Sequence, residues 1–73
     1  MIENLNKNSL DFLIFVIELA ADNFFGGKKK VAYLSLLNNG ILDFYAKTYD
    51  TSHTLSESYL LNELSEKIGK KIS

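Results

Sequence analysis

Proline is absent from this chain, and glycine occurs only at positions 26, 27, 40 and 69. This punctuation constrains the fold more than any other feature. Without proline no helix interior loses a backbone donor to a ring. With glycine confined to three places, the chain divides into stretches that suit helices separated by left-handed turns. The expectation is an all-α fold, a compact bundle of about four short helices. It forms a single helical domain over residues 1–73, with 1–8 as a frayed start.

The first helix is expected from Leu10 to Phe24, with Ser9 as N-cap, Asp11 in the first turn and Gly26-Gly27 as the stop. Its β-branched and aromatic residues would also suit a buried strand, but the segment runs too long without a turn signal. On a helical projection Asp11, Glu18 and Asp22 form one narrow stripe. Apolar residues from Phe15 through Phe12, Ala20, Ile17 and Ile14 cover about 260° of the remainder. A helix this apolar is either central in the bundle or carries part of an intermolecular interface.

The second helix is expected over Lys29 to Asn38, ending at Asn39-Gly40, and a short third one over Ile41 to Tyr49. The loop Asp50-Thr51-Ser52-His53 leads to Thr54, which with Glu57 has the spacing of a capping box. The fourth helix, Leu55 to Ile68, sets Leu60, Leu61, Leu64 and Ile68 on one stripe. Glu63 with Lys67 and Glu66 with Lys70 are i,i+4 pairs outside it, and Lys70 and Lys71 suit the negative end of its dipole.

Composition then removes whole classes of function. Cysteine is absent and His53 is the one histidine, which excludes disulfides and thiol nucleophiles and leaves a zinc site without its usual ligands. All eight basic residues are lysine and the net charge is −1. No basic field draws in nucleic acid, and no guanidinium is present to read guanine or clamp phosphate. Met1–Asn8 lacks the basic start and apolar run of a signal peptide, so a cytoplasmic location is expected. The longest apolar run, Phe12–Ile17, is far short of the roughly 20 residues that span a bilayer, so no membrane is expected.

Four groups of residues invite a chemical reading. Gly26-Gly27 followed by Lys28, Lys29 and Lys30 at a helix start could hold an anion, although it lacks the spacing of a Walker motif; the plainer reading is a solvated loop with the helix starting a turn later. His53 lies beside Ser52 and Asp50, yet nucleophilic triads are assembled from distant segments. The plainer reading has His53 and Asp50 bonding the backbone of the turn, and a partner contact is the functional one. Asp11 and Glu18 stand roughly 10 Å apart along the helix axis, too far to share one ion with Asp22. Tyr33, Tyr45, Tyr49 and Tyr59 lack interleaved basic residues and read as core-edge residues with wet hydroxyls. No catalytic set, cofactor site or metal site emerges, so the chain is not expected to be an enzyme.

The order of features resembles the small bacterial family known as domain of unknown function 3791. The residues that carry the likeness are Phe12-Leu13-Ile14-Phe15-Val16-Ile17-Glu18, the spaced Val31, Tyr33 and Leu36, Gly40-Ile41-Leu42-Asp43-Phe44, and Tyr49-Asp50 with His53-Thr54 followed by Tyr59 and Leu60. The chain departs from the family pattern at Ser52, where a leucine usually precedes the histidine, and at Leu55, where a glutamine often follows the threonine. The resemblance implies genomic proximity to ADP-ribosyltransferase-like proteins. It thereby implies an antitoxin or accessory role beside a toxin or defence protein.

The residues themselves point to a small non-catalytic interaction module. It would bind a protein partner, implied by the resemblance to be ADP-ribosyltransferase-like, through Phe15 and the turn that holds Tyr49, Asp50, His53 and Thr54. A homodimer is the open alternative for covering helix one. The competing function is a helix-turn-helix-like DNA-binding regulator in which Lys28–Lys30 meets phosphate.

Overall fold

The computed structural model describes residues 7–70. Among them are five helices and no strand: α1 (Lys7–Phe24), α2 (Lys29–Asn38), α3 (Ile41–Lys47), α4 (Tyr49–Ser52) and α5 (Glu57–Ile68). The all-α class is therefore as expected, with one more short helix than the sequence suggests. The frayed start expected over 1–8 falls largely on residues 1–6, which lie outside the described residues, as does Lys71. Lys7 and Asn8 are helical.

α1 is the central helix and packs against α2, α3 and α5. Its Leu13, Val16, Ala20 and Phe24, spaced three and four apart, are buried on one side, with Leu19 and Ala21 closing the flanks. Ala20, Ala21 and Ala32 are wholly excluded from solvent, so small side chains stand where α1 and α2 meet and let the two axes approach. Leu36 from α2, Tyr45 from α3 and Leu60 with Leu64 from α5 complete the core. Each large aliphatic side chain buried here stabilises by about 1.5–3 kcal/mol.

The turns follow the glycines. The Gly27 N–H donates to the Ala21 carbonyl at 2.7 Å while Gly26 adopts φ 62°, the six-to-one bond and left-handed residue that close a helix. Gly40, at φ 72°, lets α2 turn directly into α3. A side chain at either position would carry the strain of a left-handed backbone, about 1–2 kcal/mol.

Several expected boundaries move. Ser9 is not an N-cap but a buried residue in the third position of α1, and Asp11 consequently lies beyond its first turn. The amphipathic face continues upstream through Ser9, so the helix does not stop at a good capping residue. The expected loop over 50–53 instead contains α4. Thr48 breaks the third helix, its hydroxyl donating back to the Phe44 carbonyl at 2.9 Å, and the next turn restarts at Tyr49.

The capping box also fails. The Thr54 hydroxyl donates to the Thr51 carbonyl at 2.7 Å, and Ser56 caps α5 by accepting from the Tyr59 N–H at 3.2 Å. Ser56→Ala is therefore expected to cost about 1 kcal/mol, within the 0.5–2 kcal/mol range for such caps, while Thr54→Ala should cost less. Urea denaturation of both variants measures the order.

The expected i,i+4 pairs on α5 are also absent. Glu63 accepts from Tyr45, and the Lys67 ammonium sits 3.8 Å from the Phe44 ring centroid. Lys70 donates to the Phe24 carbonyl at 3.4 Å and lies over Phe25, tying the end of α5 to the end of α1. A cation there meets the negative end of the α1 dipole.

Candidate interaction surfaces

The Tyr49–Thr54 turn is built on an aromatic stack. The rings of Tyr49 and His53 lie 4.4 Å apart at 15°, and Phe12 of α1 meets Tyr49 edge-on at 5.7 Å. His53 Nδ1 is 2.6 Å from the Tyr49 carbonyl. A carbonyl only accepts, so Nδ1 of this exposed residue carries a proton. Ser52 is buried with its hydroxyl 2.8 Å from that of Thr48, so the serine faces α3 and not the imidazole. Asp50 and Thr54 are exposed. Phe15 is exposed on α1 three residues beyond Phe12, and Phe12 rather than Phe15 makes the ring contact with Tyr49.

Lys28, Lys29 and Lys30 are exposed, and α2 begins at Lys29 and not a turn later. The positive ends of the lysines therefore do sit at the unfavourable end of the dipole, where each costs about 0.3–1 kcal/mol. The Glu18 carboxylate offsets this by pairing with Lys29 at 3.0 Å. That pairing brings one member of the acidic stripe against the basic loop, and among the described residues no group of acidic or histidine side chains could hold a metal ion.

Two further features emerge, the first already signalled on helix one by its surplus of apolar residues. The first is an apolar surface on α1 and α2: Leu10, Ile14 and Phe15, then Val31, Tyr33, Leu34 and Leu37, are each about two-fifths to one-half exposed. Val31, Leu34 and Leu37 follow one another at helical spacing along the outer side of α2, opposite its buried Ala32 and Leu36. The signal was present in the count: α2 has more large apolar residues than one inward face can take.

The second is an open groove of about 450 Å³ between α3, α4 and α5, lined among others by Phe44, Lys47, Asp50, Leu55, Tyr59 and Glu63. The Tyr45 hydroxyl donates to Glu63 at 2.6 Å across its wall. Tyr45 is wholly buried and not at the core edge, and burial first, then the Glu63 hydrogen bond and charge, push its phenol far above the ordinary value. It is consequently a permanent donor that holds the carboxylate in place. The i,i+4 spacing of Tyr59, Glu63 and Lys67 could have flagged this flank; the pairing of Glu63 with Lys67 obscured it.

Among the described residues these features define an all-helical fold with exposed apolar side chains on α1 and α2 and a charged aromatic groove between α3, α4 and α5. The chain belongs to the protein family of unknown function DUF3791, whose family model matches residues 11–71. No curated protein and no solved structure matches it.

Proposed function

We propose that this domain is a non-catalytic protein-interaction module, an antitoxin-like or accessory partner of a toxin- or defence-type protein in the bacterial cytoplasm. The observation that carries the reading is the run of half-exposed large apolar side chains on α1 and α2. Exposed apolar surface marks an interaction site when it is contiguous, and Val31, Leu34 and Leu37 share one side of α2. The family likeness supports an ADP-ribosyltransferase-like protein as the partner. Among the described residues no helix is long and apolar enough to cross a membrane.

Light scattering over a concentration series, alone and with the neighbouring gene product, tests the reading. A complex of defined stoichiometry is expected. A chain that stays monomeric at all concentrations and binds no neighbouring product would overturn it.

A further inference from the structure

We propose that the groove between α3, α4 and α5 receives the guanidinium of an arginine-bearing segment of a partner protein, seated against the Tyr59 ring and the carboxylates of Glu63 and Asp50. The proposal rests on reading the domain as an interaction module, and its test uses a free peptide so that the two can fail separately.

Charge decides the class of occupant. Lys47 lines the groove, but its ammonium is 3.0 Å from Asp43 one turn earlier on α3. Its charge is therefore largely compensated, and against the single Lys67 ammonium over Phe44 the two carboxylates of Glu63 and Asp50 leave the groove net negative. Among the described residues no lysine pairs with either carboxylate. Glu63 uses one oxygen, Oε1, to accept from Tyr45, which fixes the carboxylate against the wall and leaves Oε2 for another donor. A carboxylate already oriented by a buried phenol loses little freedom when it binds, which is what makes charged hydrogen bonds strong.

The aromatic rings decide its shape. One face of Phe44 already carries the Lys67 ammonium at 3.8 Å, so this wall hosts a cation from the chain itself. The ring left for an incoming one is Tyr59, which is 53% exposed and stands one helical turn before Glu63. A flat ring beside a carboxylate suits the guanidinium, which stacks on its plane and donates at its edge, better than a compact ammonium. Leu55, half-buried in the lining, offers apolar surface to the methylene stem.

Amide NMR titration of the full chain with a blocked Gly-Arg-Gly peptide, and with its citrulline counterpart, tests this. Citrulline keeps the shape and removes the charge. The arginine peptide is expected to shift amides around residues 44–63 with a Kd of about 1–10 mM, the range for so small a ligand, and citrulline at least about tenfold more weakly. Glu63→Gln, which keeps an acceptor for Tyr45, and the exposed Asp50→Asn should each weaken binding about three- to tenfold, and Lys47→Met should strengthen it. Equal binding of citrulline, shifts centred elsewhere, no shift at about 50 mM arginine peptide, or unchanged affinity in both carboxylate variants would each overturn the assignment.

Discussion

Tyr45→Ala is expected to leave the chain unfolded at 25 °C. The side chain is wholly buried, touches Phe12 and Phe44 edge-on with ring centroids at 6.1 and 5.1 Å, and ties α3 to α5 through Glu63. Large aromatic truncations in cores cost about 3–5 kcal/mol, and a domain of this size has about 5 kcal/mol in total at most. The loss also strands the Glu63 carboxylate at the wall of an emptied site. Circular dichroism should show a coil spectrum where the parent chain is helical; a cooperative melt within 5 °C or so of the parent would contradict the central place given to this ring.

Tyr45→Phe separates the ring from its hydroxyl. It should fold and lose about 1 kcal/mol at neutral pH, because half-buried Glu63 can recover a water in place of the phenol. Its distinguishing effect lies at high pH. Tyr45 is held neutral in the folded chain well above the usual phenol value of about 10, so the unfolded chain releases this proton first. Stability from this group is thus intact below about pH 10 and falls by up to about 1.4 kcal/mol per unit as the pH rises beyond it. Urea denaturation at several pH values should show a shallower alkaline decline for Tyr45→Phe; identical slopes would mean that the phenol ionises freely in the fold.

How far the sequence discloses the fold varies by element, for identifiable reasons. α2 is legible to the residue, Lys29–Asn38, because glycines bracket it and backbone geometry there leaves few alternatives. The starts of α1 and α5 were not. Ser9 and Thr54 are good capping residues by chemistry, but tertiary contacts bury the first within the helix, and the second is drawn to the Thr51 carbonyl, leaving Ser56 to cap. Capping propensity of about 1 kcal/mol yields to burial of a whole apolar turn.

The surfaces are a similar mixture. The stack of Tyr49 on His53 sits in a turn that the sequence singles out, whereas Glu63 was concealed by a local pairing rule. Helical spacing nominates Lys67 as its partner, worth about 0.2–0.5 kcal/mol, but a buried tyrosine hydroxyl cannot remain unpaired, and that larger penalty redirects the carboxylate. Pairwise periodicity sees neighbours on one helix and not the donor arriving from another.

The combined variant Leu34→Glu with Leu37→Glu is expected to abolish association through the apolar surface while sparing the fold. Both side chains stand on the outer side of α2, 44% and 39% exposed, so replacing them costs the monomer little, within about 1 kcal/mol for the pair. An interface formed there would have to bury two carboxylates without partners. Truncation of central interface residues costs 2 kcal/mol or more, and unpaired buried charge adds to it, so affinity should fall at least about 100-fold.

Phe15→Glu supplies the contrast, since Phe15 lies on α1 while the rest of the predicted contact lies at the Tyr49–Thr54 turn. If the α2 pair removes the complex and Phe15→Glu leaves it within a few-fold, the partner sits on the outer side of α2. If only Phe15→Glu removes it, the partner reads α1 beside the aromatic turn, and the exposed leucines of α2 are ordinary surface. Thermal melts run in parallel decide whether either loss is one of binding or of folding, because a variant that melts like the parent and no longer associates has lost only the contact.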